Sequence, residues 1–442
     1  MLTRIRVKNF QSLVNLDVDL MKTKLKPKKL VVIYGENGVG KTNFSKIFHM
    51  INQTTRTMMV NEIVKRFLND EKNDNDKIGI DSFISTHLQD TKNIIKKYKT
   101  IDSKDNMSVE LGFIVKNQRG SYFIEYDNEE IVSESLDFVI NKNQVNFFKL
   151  NKANDKIRIN DKIFLTKEYI DLFKSELEKY WGKHSFVSIL NSEMENKTKK
   201  YILNNISKDL LKATKYLESL CIKVKSNNSY FGNLKSDNEV LHKVLSGEIP
   251  INKEDYLDKT ENMLNTFFTR LYSDIKQVFY EKKQIDNKIK YKLYAKKLIY
   301  GKIINLDFSL ESSGTQNLLE LIPYLLLAVK GEVVIIDEFD DGIHDVLIYN
   351  LLKNLKEYIK GQLIITTHNT ILLESLLKKE DIYIFSVNRN AEKELVCLTE
   401  FGERDHKNFN LRKRYLSGIY TGTPFVSDID FKEISNYLDG EK

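Results

Sequence analysis

The stretch Leu30-Val31-Val32-Ile33-Tyr34-Gly35-Glu36-Asn37-Gly38-Val39-Gly40-Lys41-Thr42 decides how this chain is read. Its first four residues form an apolar run, the pattern of a strand buried on both faces of a sheet. Gly35 to Thr42 then follows G-x-x-x-x-G-K-T, the P-loop pattern. Glycines let the backbone wrap around a polyphosphate, so that successive N–H groups point at the anion. Gly35, Glu36, Asn37, Gly38, Val39 and Gly40 would form that cradle. In the same pattern Lys41 reaches the β- and γ-phosphate oxygens, and the Thr42 hydroxyl ligates Mg²⁺. A helix expected from Asn43 to Met50 adds the positive end of its dipole. The plain alternative is a chance glycine turn before a helix, and the C-terminal half of the sequence argues against it.

The chain has 442 residues, enough for one large or two ordinary domains with a substantial core. A hydrophobic content of 41% and a charged content of 30% are those of a soluble globular protein. Lys and Arg number 69 against 62 Asp and Glu, a net charge of +7 that permits a nucleic-acid partner without arguing for one. No run approaches the roughly 18 apolar residues of a membrane span, and MLTRIRVKNF lacks the apolar core of a signal peptide. Only Cys221 and Cys397 are present, which offers neither a metal cluster nor a disulfide framework. A cytoplasmic protein without membrane attachment is the simplest expectation.

In chain order, Ile5 and Val7 alternate with charged neighbours, as do Leu16, Val18 and Leu20, so residues 2 to 20 read as two strands joined by Asn9-Phe10-Gln11-Ser12. Residues 43 to 68 read as helix, including IVKRFLN from Ile63. Asn69 to Lys77, NDEKNDNDK, reads as a solvated turn, since it lacks the glycine and closing glutamate of a calcium loop. Residues 109 to 126 return to strand character around Asn117 to Gly120, a hairpin signal. From 166 to 220 the composition is helical, and Tyr169, Phe173, Leu177 and Tyr180 fall on one core-facing stripe. No heptad run persists, which excludes a long coiled-coil arm. A helix is expected from Lys253 to about Tyr272, then strands at 278–280 and 288–294. In the last, Lys288, Lys290 and Lys292 alternate with Ile289, Tyr291 and Leu293. Such a basic face suits either a phosphate backbone or plain solvent.

Three further motifs follow in order. Residues 311–316, ESSGTQ, precede an apolar helix, and a serine and glycine at a helix start make a second anion site. Residues 333–338, VVIIDE, form a buried strand ending in Asp337 and Glu338, at the sheet edge where ligands bind. Residues 363–369, LIITTHN, form another buried strand, ending in His368.

Taken together, these residues resemble the RecF, SMC and OLD-type branch of the ABC ATPases. The two strands with their N-F-x-S corner resemble the opening of that branch, whose corner lies near the nucleotide base. Phe10 would then either face the base or simply pack in the core. ESSGTQ resembles the L-S-G-G-Q signature, with Ser313, Gly314 and Gln316 on matching positions and Thr315 in place of the second glycine. By resemblance to Walker B, Asp337 supports the Mg²⁺ shell and Glu338 polarises the attacking water. His368 matches the switch histidine that contacts the γ-phosphate. Gly342-Ile343-His344 is similar to the G-L-H of the RecF and OLD-like group, with His344 where transporter subunits carry aspartate. YLSGIYTGTPF, from Tyr415 to Phe425, resembles a tail segment of bacterial ATPases linked to abortive infection. Roughly 70 residues after His368 leave little room for the Toprim domain of OLD nucleases. No Q-loop glutamine is placed, with Gln118 and Gln144 as unsupported candidates.

The resemblance implies an α/β fold: an ABC-type P-loop NTPase head with a mixed, mainly parallel sheet flanked by helices, a β-rich lobe and a mostly helical central insertion. The expected units are an N-terminal ATPase lobe at 1–165, the insertion at 166–300 and a C-terminal lobe at 301–442. It implies ATP and Mg²⁺ as ligands, and a homodimer or higher homo-oligomer sandwiching ATP head to tail. It also implies a separately encoded effector, a nuclease or toxin, in antiphage defence. DNA is a further partner under the rival reading of a RecF-like repair ATPase. A binding scaffold with little turnover is the third.

Overall fold

The computed structural model describes residues 1–61, 90–154, 156–195, 197–226, 229–388, 391–402, 410–423 and 428–439. The expected helix at 63–69, the charged turn at 69–77, and the end of the tail segment at 424–425 lie outside the described residues.

A seven-stranded sheet forms the centre. From edge to edge its strands are Ser229–Asn233, Cys221–Ser226, Val333–Ile336, Gln362–Thr366, Leu30–Tyr34, Ile382–Val387 and Lys393–Cys397. The inner strands pair in parallel, and each edge strand pairs antiparallel. Parallel strands are buried on both faces, which is why Leu30–Tyr34 and Val333–Ile336 read as unbroken apolar runs. Alternate residues enter opposite cores. Val31 and Ile33 join the core shared with the helix Lys41–Thr54, while Leu30, Val32 and Tyr34 join the core beneath Ser313–Lys330 and Asp345–Leu355. The helix after the glycine loop starts at Lys41 rather than Asn43 and buries Phe44, Ile47, Phe48 and Ile51. Each such fully buried side chain contributes roughly 1.5–3 kcal/mol by leaving water.

The second layer is a seven-stranded antiparallel sheet in the order Lys156–Ile159, Asn143–Asn151, Ile131–Ile140, Gln118–Tyr126, Met107–Val115, Leu2–Phe10 and Leu13–Asp19. The hairpin expected near 117–120 turns at Lys116 and Asn117, both at positive φ (47° and 64°), as a two-residue turn between twisted strands requires. Its core-facing residues, among them Phe113, Tyr122 and Leu136, complete the first core.

Between residues 166 and 220 the chain forms the helices Lys167–Tyr180, Phe186–Glu195, Lys199–Asn205 and Lys208–Glu218. Tyr169, Phe173 and Leu177 face the core. The chain then supplies Cys221–Ser226 to the central sheet, directly beside Val333–Ile336. Around the helix Glu254–Leu271, a small antiparallel sheet contains Ser246–Pro250 before it and Ile275–Ile285, Lys288–Ile299 and Lys302–Asp307 after it.

Candidate active site

The central strands end together at one edge of the sheet, and the residues that follow them converge. Tyr34 leads into the glycine loop, Ile336 into Asp337 and Glu338, and Thr366 into Thr367 and His368. Glycine is required at both ends of the loop. A Cβ on Gly35 would lie 2.8 Å from Phe385 Cβ and from Val39 Cγ1, and Gly40 adopts φ 121° with Leu13 Cδ2 at 3.1 Å from any added Cβ.

Lys41 is buried, and its Nζ donates to the carbonyls of Gly35 at 2.7 Å and Glu36 at 2.8 Å. Burial pushes its pKa down to about 8, against the opposing pull of Asp337, Glu338, Asp340 and Glu36. The first three of those interactions place the lysine among Asp337, Glu338 and Asp340, which the sequence separates from it by about 300 residues.

Asp337 is fully buried. Its Oδ1 accepts from Thr366 Oγ1 at 2.7 Å, while Oδ2 has no hydrogen-bond partner among the described residues. Burial raises its pKa, and the hydroxyls of Thr366 and Thr42 act against that rise. A buried carboxylate oxygen without a partner is unfavourable unless a cation or its water shell faces it. Thr42 and Asp337 supply hard oxygens at the end of a phosphate cradle, which suits Mg²⁺, an ion that takes one or two protein oxygens and completes its shell with phosphate and water. The residues present therefore fit that ion. Among the described residues no group of three His, Cys, Asp or Glu could hold a metal.

Glu338 follows at φ 49°, a left-handed conformation that a non-glycine residue adopts only under local constraint. Its N–H donates to Thr366 Oγ1 at 2.9 Å, and its Oε2 accepts from Lys225 Nζ at 2.6 Å. His368 is exposed, with its N–H donating to Asp340 Oδ2 at 3.2 Å. Desolvation of the ring and the Lys41 charge lower its pKa.

Ser313, Gly314 and Gln316 open the helix Ser313–Lys330, which Ser312 caps through its Oγ and the Thr315 N–H. A Cβ on Gly314 would lie 2.3 Å from the Gly342 carbonyl oxygen, so the helix start packs against the turn after Glu338. Among the described residues no hydrogen bond joins these three to the Gly35–Thr42 loop. His344 accepts from the Val346 N–H at 3.2 Å and caps the next helix.

The corner at Asn9 to Ser12 lies beside the loop, since Ser12 Oγ accepts from Asn43 Nδ2 at 2.7 Å. Phe10 itself is fully buried and stacks on Tyr98, with centroids 5.3 Å apart, so it packs in the core. Gln118 and Gln144 lie on the antiparallel sheet, not on a strand of the central one. Sequence reasoning missed Thr366 and Lys225. Thr366 had a signal, a hydroxyl closing an apolar strand; Lys225 stood in a short run between helices and turns.

The basic face of Lys288, Lys290 and Lys292 is partly paired within the chain. Lys290 pairs with Glu248 at 3.1 Å, Lys292 with Asp307 at 2.5 Å, and Lys288 lies 3.9 Å from Glu248. A groove of about 1540 Å³ at the opposite edge of the central sheet is more basic, lined by eleven lysines against five carboxylates.

The sequence from residue 30 to residue 374 matches the family described as "AAA domain, putative AbiEii toxin, Type IV TA system". The chain belongs to that family. A search of curated proteins finds no match. Among solved structures the chain is similar to the SMC head domain from Thermotoga maritima, at 14% identity and a TM-score of 0.37, over 90% of this chain and 98% of that one. Among the described residues of this AAA-domain chain, no helix is long and apolar enough to cross a membrane.

Proposed function

We propose that this chain is a Mg²⁺-dependent ATPase that hydrolyses ATP to ADP and phosphate. The observation that carries the reading is the buried Asp337 carboxylate, whose Oδ2 meets no geometric hydrogen bond among the described residues, near the Thr42 hydroxyl and within reach of the Lys41 charge. Lys41 exchanges the Gly35 and Glu36 carbonyls for phosphate oxygens, and the N–H groups of Gly35 to Thr42 enclose the polyphosphate. Thr42 and Asp337 hold Mg²⁺, which neutralises charge on the phosphates when bound. Glu338 orients and polarises the attacking water, and His368 faces the γ-phosphate. Ser313, Gly314 and Gln316 bind the nucleotide of a second copy, so that two heads close head to tail over two ATPs.

The purpose of turnover is conformational: closing and opening of the heads controls a separately encoded effector in antiphage defence. The description of the family as a putative toxin of a toxin–antitoxin system supports a protein partner in such a system, without naming the effector. The basic groove favours a second reading, a DNA-binding repair ATPase. Phosphate release by the purified chain, with and without Mg²⁺ and with and without DNA, tests the proposal. Mg²⁺-dependent release that disappears in Lys41→Ala is expected. Absence of release would leave only a binding scaffold.

A further inference from the structure

Lys225 lies outside every motif of the sequence, yet its ammonium touches the acid placed at the water. We propose that Lys225 is a positioning residue for Glu338, an inference that rests on the ATPase reading of the site.

The sheet register brings the two together. Cys221, Ile222 and Lys223 pair in parallel with Val334, Ile335 and Ile336, and the Asp337 N–H donates to the Lys223 carbonyl at 2.8 Å. Two residues further along, Lys225 stands beside Glu338. Ile222 and Val224 point into the core shared with the antiparallel sheet, so Lys223 and Lys225 take the other face. There each holds an acid: Lys223 meets Glu320 at 3.1 Å, and Lys225 meets Glu338 Oε2 at 2.6 Å and Asp341 Oδ1 at 2.7 Å.

Packing alone does not fix the Glu338 carboxylate, whose side chain is 33% exposed. A glutamate has three side-chain torsions and samples several rotamers when unrestrained. A charge-assisted bond to one oxygen removes that freedom and leaves Oε1 available to a water. Lys225 is itself held from its other side by Asp341. The Asp341 carbonyl accepts from Asn317 Nδ2 at 2.9 Å, and Gly342 packs on Gly314. The contacts thus run from the start of the helix Ser313–Lys330, through Asp341 and Lys225, to Glu338. A partly exposed ion pair adds little to stability, so this geometry is better explained by the site than by the fold.

The test compares ATP turnover, affinity for a fluorescent ATP analogue and thermal stability in the full chain. Lys225→Met should lower kcat about 10- to 100-fold, the usual effect of removing a group that orients a reacting one. Nucleotide affinity and Tm should stay at the parent values, and Lys225→Arg should recover most of the rate. In a Glu338→Gln background, Lys225→Met should cause no further loss, because the group it positions no longer acts. A Lys225→Met rate equal to or above the parent, or an equal fold loss in both backgrounds, overturns the inference. A parent chain without any turnover overturns the ATPase reading instead, and this inference falls with it.

Discussion

Thr366 and Asp337 are joined by a 2.7 Å hydrogen bond, and the same Thr366 hydroxyl receives the Glu338 N–H at 2.9 Å. One side chain from the neighbouring strand thus orients both acids that close Val333–Ile336. Thr366→Val keeps the shape but leaves a buried carboxylate oxygen and a backbone N–H unpaired, at roughly 1–3 kcal/mol for each group left unsatisfied. The expected outcome is a lower Tm and a higher Mg²⁺ requirement for turnover. Thr366→Ser, which keeps the hydroxyl, should remain near the parent in both. Denaturation scans with Mg²⁺ titrations check this, and a Thr366→Val chain that matches the parent would remove Thr366 from the site.

The helix start at Ser313 and Gly314 packs against Gly342 of its own chain and makes no hydrogen bond to the glycine loop among the described residues. If its anion site serves a second copy, ATP should double the mass of the Glu338→Gln form in light scattering. Adding Ser313→Arg should return the mass to that of one chain while ATP still binds. An unchanged mass on adding ATP to Glu338→Gln alone would contradict the paired arrangement.

His49 lies on the helix behind the loop, and burial, reinforced by Lys97, Arg56 and Lys46, pushes its pKa down to about 3. Its folded pKa is below the unfolded value of about 6.5, so the unfolded chain takes up a proton first as pH falls. The stability His49 contributes is complete above pH about 6.5 and is lost as pH drops from there toward 3. Tm measured across this range should fall less steeply in His49→Gln than in the parent. Parallel curves would exclude this histidine as the source.

Nucleic-acid binding, where it occurs, should depend on the groove rather than on the strand Lys288–Ile299. Lys290 and Lys292 already have carboxylate partners, whereas Lys208, Lys215 and Lys378 line the groove with no ion pair among the described residues. Replacing these three by Glu should weaken DNA binding and flatten its salt dependence. Replacing Lys288, Lys290 and Lys292 should leave it unchanged. The opposite pattern in salt titrations would return the role to the strand.

The glycine loop was legible as the turn between a buried strand and a helix because Gly35 to Thr42 carries its pattern in consecutive residues. Asp337, Glu338 and His368 were legible for a related reason: each ends an apolar run that can only be a buried strand, so its place at the sheet edge follows. Lys225 was not. Its strand, CIKVKS, is short, and its partner Glu338 lies 113 residues away, so only the parallel register brings them together. The alternation of Lys288 to Leu293 was visible, and the strand has the exposed and buried faces it implies. What no local pattern contained was Glu248 and Asp307 across the neighbouring strands, which pair with Lys290 and Lys292. Phe10 shows the same limit, since both a base-facing and a core position suit an aromatic residue, and only the stack on Tyr98 decides.

The measurement that bears most directly on the ATPase assignment is nucleotide binding and turnover on matched preparations of the parent, Lys41→Ala and Glu338→Gln. Lys41→Ala removes the cation buried within the loop and should abolish binding. Glu338→Gln should bind ATP as the parent does and lose turnover by about 10²–10⁴-fold, the contribution expected of a group that polarises water. A Glu338→Gln chain that hydrolyses ATP at the parent rate would contradict the assignment of Glu338, and a Lys41→Ala chain that does so would contradict the hydrolytic role of this site.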